Sequence, residues 1–443
     1  MRLASSGGIL AALCLILLTG ALARAAEPVS RGSGPPNILF ILSDDQRWDT
    51  AGFTGNTVIQ TPNLDRIASE GAKLSQYYCV APLCCPSRAT VLSGLYPHQA
   101  GNQILQNNLW TDFSEATPTV ASYLNDAGYV TCFVGKAHLS GDPRSWGFQT
   151  VPVWLRRAAS DYEEPRLITA GRERRFRGQN ITTVFARAAA DFISNQAAGT
   201  KPWFLYVSTT SPHGPDCPSC QAAFPYNMQD IENNPPPGVP PGRLGLFNWA
   251  DYYSKIAHLD NEVGMLLDAL DESGQATNTY VFFTSDNGLT STELEQPGKG
   301  TWYDESARVL ACGRGPGIAP GTDVTTPMVS VDWLPTFLEI AGIPVPPALE
   351  GKSMIPALQG GTPLRATAYG EVSANSFPHW QMVRSYTGVS AGYKYVYSVA
   401  LDEEHLYHLD ADPFEETDII GSAPQAVLDE LRQMHQSWLA ATP

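Results

Sequence analysis

The 443-residue sequence predicts an α/β protein: a large, mostly parallel or mixed sheet sandwiched by helices, followed by a smaller C-terminal α+β subdomain. Three observations lead there. Four apolar runs rich in β-branched and aromatic residues read as buried strands, at Ile38–Leu42, Tyr129–Val134, Trp203–Thr209 and Tyr280–Thr284. Helical patterns separate these runs, and strands alternating with helices imply parallel neighbours covered on both faces. Beyond Pro347 the texture changes to short strand patterns and one last helix. The expected divisions are a leader at 1–25, a main unit at 34–365 and the C-terminal subdomain at 366–443.

In chain order, Arg2, an apolar run from Ile9 to Leu18 and small residues at Ala21-Leu22-Ala23 or Ala23-Arg24-Ala25 form a signal-peptide pattern. That run is too short for a membrane span, and no later segment offers about twenty uninterrupted apolar residues. The expected location is secreted or periplasmic, or lysosomal or extracellular in a eukaryote. Only in a eukaryotic host does Asn180-Ile181-Thr182 become a glycan acceptor. Helices are expected over TPNLDRIASEGAK, with Thr61 as cap, over TPTVASYLNDAGY, closed by Gly128, and over TTVFARAAADFISNQ. Residues 221–243, rich in proline and asparagine and without period, read as a long surface loop. The segment YYSKIAHLDNEVGMLLDALDESG repeats apolar residues at helical spacing and ends at Gly274. A further helix in VDWLPTFLEIAGIPVPP stops at Gly342 and the prolines. YKYVYSVA and HLYHLD suggest short strands, and PQAVLDELRQMHQSWLA an amphipathic final helix.

The formal charge, 28 − 44 = −16, argues against a nucleic-acid partner. The one basic run, GRERRFRG at 171–178, reads as a solvated loop, with a substrate role as its alternative. Of eight cysteines, Cys14 lies in the leader, so seven remain. An odd number in an exported chain marks one for something other than pairing. Cys217-Pro-Ser-Cys220 reads as a local disulfide rather than half of a zinc site, because no second ligand pair has zinc-finger spacing.

Ligand groups in doubly wound sheets gather where strands end. Here the strands run into Asp44-Asp45-Gln46, Lys136-Ala137-His138, Ser211-Pro212-His213 and Asp286-Asn287-Gly288. Adjacent Asp44 and Asp45 repel one another without a cation, and Asp286 with Asn287 adds the same hard-oxygen chemistry, so calcium or magnesium suits the set. Each pair taken singly also suits a helix or turn cap, and His138, His213, Lys136 and Lys299 taken singly are ordinary structural or surface residues.

The stretch CCPSRATVLSG, beginning at Cys84, resembles the C-x-P-S-R-x-x-x-x-x-G signature of the sulfatase family, with Cys85 at a variable position. PNILFILSDDQ, TPNLDRIASEGAKL, GKAHL, SPHGP, FFTSDNG, GKGTWYDES and HLYHLDADPFEETD resemble further family blocks in the same order. Ala137 stands where tryptophan is frequent, Ser93 where threonine is frequent, and Cys312 in a segment that is normally aliphatic. The resemblance implies an alkaline-phosphatase-like fold and an exported sulfuric ester hydrolase. It implies that a formylglycine-generating enzyme, reading Pro86 and Arg88, oxidises Cys84 to Cα-formylglycine, whose hydrate is the nucleophile. Cys85 is then left to packing or a disulfide, within an even set of six cysteines.

By the same resemblance Asp44, Asp45, Asp286, Asn287 and the modified Cys84 bind the cation. Arg88, Lys136 and Lys299 clamp the sulfate, and Asp286 assists attack. His213 and Lys299 serve the leaving oxygen and His138 the release of sulfate. The implied substrate is a sulfated small molecule or glycan, and the two-cysteine motif resembles sulfatases acting on glucosamine-6-sulfate. A phosphate or phosphonate ester hydrolase of the same superfamily is the alternative reading. A glycan-binding protein with a dead site is a third, which the presence of every catalytic group disfavours.

Overall fold

The computed structural model describes residues 34–99, 117–159, 161–245, 247–290, 298–372 and 379–442. The signal-peptide pattern lies outside them. Ten strands form the main sheet, in the order Thr322–Val324, Ala72–Leu74, Ala311–Arg314, Thr279–Ser285, Asn37–Asp44, Trp203–Pro212, Val130–Lys136, Trp154–Leu155, Arg166–Thr169 and Arg172–Arg175. The four strands expected from the apolar runs are its adjacent centre. They pair in parallel; Ala311–Arg314 joins antiparallel on one side, and on the other Trp154–Leu155 continues in parallel before the antiparallel Arg166–Thr169. The sheet is therefore mixed.

Continuous apolar runs form these strands because both faces are covered. Ile38, Phe40 and Leu42 point into one core with Phe204, Tyr206, Phe282, Trp333 and Phe337. Leu39 and Ile41 point into the other, with Leu205, Val207, Phe283 and the apolar stripes of helices Ile181–Gln196 and Trp249–Glu272. Phe40 lies 4.8 Å from Trp333 and 5.1 Å from Tyr206, ring centre to ring centre. Truncating such a fully buried ring costs about 3–5 kcal/mol.

Helix Pro62–Glu70 forms where expected, but Thr61 does not cap it with its side chain. The Thr61 hydroxyl accepts from Gly52 N–H at 2.8 Å, and the Asp260 carboxylate of helix Trp249–Glu272 takes the free N–H of Leu64 at 2.7 Å. Residues 221–243 are not one loop. They contain the end of helix Pro218–Ala223 and all of helix Met228–Asn233, and Ile231 and Val239 are buried against Trp249 and Tyr253. The basic run is not a loop either. Arg172–Arg175 pairs with Arg166–Thr169 as an exposed hairpin turned at Ala170 and Gly171, both at positive φ.

The C-terminal sheet is antiparallel, in the order Thr367–Val372, Trp380–Ser385, Tyr393–Ser398, Glu403–His408. Val427, Leu428 and Leu431 of helix Gln425–Ala441 pack on its Val383, Tyr395 and Leu406. Its other face joins Tyr78, Trp302 and Val329 of the main unit in one core.

Cys217 and Cys220 form the expected disulfide. Cys79, Cys84, Cys132 and Cys312 are buried thiols outside any disulfide, and Cys85 packs in the core. Asn180 caps helix Ile181–Gln196 through Thr182 N–H and donates to Ser219 at 3.1 Å, which engages the amide a glycan would need. No helix among the described residues is long and apolar enough to cross a membrane.

Candidate active site

Parallel strands end on one side, so Asp44, Lys136, Pro212 and Ser285 deliver their polar neighbours to a common rim. Helix Cys84–Ser93 supplies the fifth component. All ten of its residues are buried, and the extended backbone of Leu83 starts it so that Cys84 stands in its first turn, where free N–H groups favour an anion. Gly94, in the left-handed region at φ 70°, ends it against Leu334.

The Cys84 sulfur is the hub. It lies 3.3 Å from Asp44 Oδ1, 3.9 Å from Asp45 Oδ1, 2.9 Å from Lys299 Nζ and 3.6 Å from Lys136 Nζ. Lys136 pairs with Asp44, and Lys299 donates to Asp45 Oδ1 at 2.5 Å. Arg88 reaches Asp286 at 2.6 Å and Asp44 at 3.5 Å, and also donates to Ser208. Asn287 Nδ2 donates to Asp45 at 2.6 Å. His213, one quarter exposed, sets Nε2 3.7 Å from Asp45 and Nδ1 2.8 Å from the Gly214 carbonyl. His138 is held at φ 49° and donates its backbone N–H to Arg156 O, while its buried ring Nδ1 has no partner.

Three carboxylates thus face three cations in a nearly dry site, and the electrostatics follow. Burial opposes charge on Asp44, yet Lys136, His213 and Arg88 hold it well below the ordinary carboxylate range. Burial and the Asp44 charge push Asp286 up to about 6 even with Arg88 beside it. Burial, reinforced by Asp44, also raises the Cys84 thiol, although Lys136 and Lys299 oppose the rise. His138 falls to about 2 through burial and the nearby charges of Lys136 and Arg88, which keeps the imidazole neutral.

Asp44, Asp45, Cys84 and Asp286 each place a ligand atom within 4.8 Å of the others, and the buried Asn287 Oδ1 has no partner. An orphaned amide oxygen among buried carboxylates is the donor set that calcium or magnesium takes, so these residues fit such an ion.

Every residue singled out in the sequence lies in this region, although His138 makes no direct bond to the Cys84 cluster. Two neighbours were given no role from the sequence, although Gln46 stands in the first strand ending. Ser208 accepts from Arg88 and donates to the Lys136 carbonyl at 2.6 Å. Gln46 is fully buried with both side-chain amide atoms unpartnered, while its backbone N–H donates to Ser285. A polar residue within an apolar strand, for Ser208, and an amide directly after an acidic pair, for Gln46, were the available signals.

Fold and site together define a hydrolase built to take an anionic ester. The profile of the family described as Sulfatase matches residues 36–343, and one described as N-sulphoglucosamine sulphohydrolase, C-terminal, matches 298–439. N-acetylgalactosamine-6-sulfatase of Canis lupus familiaris is 30% identical over 397 residues, 79% of this chain and 70% of that protein. Choline-sulfatase of Rhizobium meliloti is 28% identical, over 91% of this chain and 86% of that protein. A protein solved in complex with its substrate D-glucosamine-2-N,6-O-disulfate superposes with TM-score 0.76 at 25% identity, covering 92% of this chain and 98% of that one. The chain belongs to the sulfatase family and is a sulfatase.

Proposed function

We propose that the protein is an exported carbohydrate sulfatase that works through formylglycine at position 84 and a divalent cation, calcium or alternatively magnesium, held by Asp44, Asp45, Asp286, Asn287 and the modified Cys84. The observation that carries this reading is the place of Cys84: a helix N-terminus, between two aspartates and two lysines. A carbohydrate substrate is favoured because relatives of similar identity act on N-acetylgalactosamine-6-sulfate and on N-acetylglucosamine-6-sulfate.

A buried thiol with a raised pKa is a poor nucleophile at neutral pH, and oxidation to formylglycine replaces it with a hydrated aldehyde carrying two hydroxyls. The cation, when bound, lowers the pKa of such a hydroxyl and offsets charge on the sulfate oxygens. Arg88, Lys136 and Lys299 hold the ester so that sulfur faces the nucleophile, and Asp286 assists removal of the attacking proton. As the S–O ester bond breaks, His213 and Lys299 supply the proton or charge that the leaving oxygen needs. Neutral His138 accepts the proton of the second hydroxyl, which restores the carbonyl and frees sulfate.

Peptide mapping of active enzyme tests the reading. It should find an aldehyde at 84 and an ordinary thiol at 85, and a chromogenic aryl sulfate should turn over faster than its matching phosphate and phosphonate esters. An intact thiol at 84 in fully active enzyme overturns the formylglycine assignment. A preference for the phosphorus esters selects the phosphoryl-transfer alternative.

A further inference from the structure

The cleft accounts for one sulfate and leaves a charged edge of the main sheet unused. Seven of the chain's 21 arginines lie between positions 156 and 177, a stretch with no lysine and four acidic residues, so 7 − 4 = +3 within a chain of −16. Sheet register sorts them. Lys136 pairs with Leu155, and the next residue, Arg156, accepts from His138 N–H at 3.0 Å, so Arg156 stands on the active-site rim. Trp154 lies opposite Ile168, and continuing that antiparallel register sets Arg166 opposite Arg156. Arg166 is in turn opposite Arg175. Residues opposite one another share a face, so Arg166 and Arg175 pair across two neighbouring strands, and Arg156, the residue just beyond strand Trp154–Leu155, extends them to a row of three about 10 Å long at roughly 4.8 Å per strand.

Like charges opposite one another are unfavourable without a counter-ion. The partners present are weak: Arg166 reaches Glu173 at 3.4 Å and Arg175 reaches Glu164, all largely exposed, and the Arg156 guanidinium lies 5.6 Å from the centre of the Trp154 ring. The same segment is tied to the other side of the cleft, because Tyr162 donates to the His213 carbonyl at 2.8 Å. Arginine rather than lysine at every position matches the bidentate geometry of sulfate oxygens. Protection of an exposed edge strand would need only charge, of either kind and at any point along it.

We propose that the Arg156–Arg166–Arg175 row is a second anion subsite, holding a further sulfate of a multiply sulfated saccharide whose reacting sulfate ester sits in the cleft. This rests on the sulfatase reading of the cleft. The protein's overall negative charge favours a short, locally anionic saccharide over a long polyanion such as DNA.

Calorimetric titration of the whole protein with a fully sulfated heparin hexasaccharide tests the subsite. Arg156→Ser with Arg166→Ser should raise Kd at least tenfold. Arg172→Ser with Arg174→Ser, the same loss of charge outside the row, should change it less than twofold. All four positions lie on the exposed hairpin or rim, and circular dichroism verifies folding of both variants. Equal losses in the two variants, no loss in either, or equally tight binding of a single-stranded DNA of matched charge overturns the proposal. The readout does not depend on turnover, so an enzyme without sulfatase activity that still separates the variants refutes the catalytic reading alone.

Discussion

Two buried charge clusters, one at the rim and one at the junction with the C-terminal sheet, use the same residue types to opposite ends. At the junction Lys394 is fully buried and spends its donors on Asp304 at 2.5 Å, Glu415 at 2.6 Å and the Trp302 carbonyl at 3.0 Å. Glu415 uses its second oxygen to accept from Asp304 N–H. That cluster is closed. At the rim, by contrast, Asn287 Oδ1, His138 Nδ1 and the Gln46 amide are buried without partners, and a cysteine sits where a further counter-charge would go. A closed network fixes one geometry, while an open one keeps free-energy reserves for a ligand. The two clusters are also linked: the segment from Lys299 to Glu305 carries Lys299, bonded to Asp45, at one end and Asp304 near the other, with Trp380 donating to the Gly300 carbonyl at 2.8 Å between them.

The largest effect should come from breaking the open cluster. Asp286→Ala removes one carboxylate from the proposed cation set and the nearest carboxylate partner of Arg88, and kcat should fall by roughly 10³-fold or more while the protein stays folded. Chelation should give the same loss and added calcium or magnesium should reverse it. Full turnover in enzyme that elemental analysis shows to be metal-free would sink the cation assignment.

Breaking the closed cluster should instead appear as stability. Lys394→Met leaves two buried carboxylates without their cation and should cost about 3–5 kcal/mol in urea unfolding. Because Lys394 also holds the Trp302 carbonyl, the surviving folded enzyme should have a lower kcat on aryl sulfate with little change in KM. A stability loss below about 1 kcal/mol would mean that the junction is not a closed network.

A smaller contrast lies within the open cluster, between its two histidines. His213→Ala should slow sugar sulfates by about 10²-fold and activated aryl sulfates much less, since a good leaving group needs little protonation. His138→Ala should slow both and let covalent sulfate accumulate, visible by mass spectrometry. Identical losses on both substrates in both variants, with no adduct, would remove the division of roles.

The open cluster was largely legible in the sequence because its residues follow directly after apolar strands, so element ends and chemistry coincide. Asp44, Lys136, His213 and Asp286 were located that way, and the cysteine motif added Cys84 and Arg88. The closed cluster was not legible. Lys394, Asp304 and Glu415 are far apart in the chain, and nothing local distinguishes them from surface charges. The same reason hid the Asp260 cap of helix Pro62–Glu70, which comes from a separate helix. The hairpin at 166–175 escaped because Arg-Glu-Arg-Arg has no apolar alternation. Its strand character comes from register with Arg166–Thr169 and a turn at two positive-φ residues.

The mildest test concerns His98, a half-buried charge intermediate between the two clusters. Its Nδ1 lies 2.7 Å from Glu371 and its Nε2 2.6 Å from the Thr442 carbonyl, with Tyr96 and Trp438 packed beside it. Burial alone would push the imidazole pKa down, but the Glu371 carboxylate holds it above the ordinary value of 6.5. The folded state therefore binds the proton more tightly than the unfolded chain, and stability from this contact falls as pH rises. The contribution is complete below pH 6.5, the unfolded value, and is lost as pH climbs through the higher folded value. His98→Gln keeps a polar ring-sized group but no titrating charge. Thermal melts of both proteins should differ most near pH 5.5 and converge by about pH 8.5. A difference that stays constant across that range would show that His98 holds the last helix by neutral hydrogen bonds alone, placing it with the closed network rather than between the two.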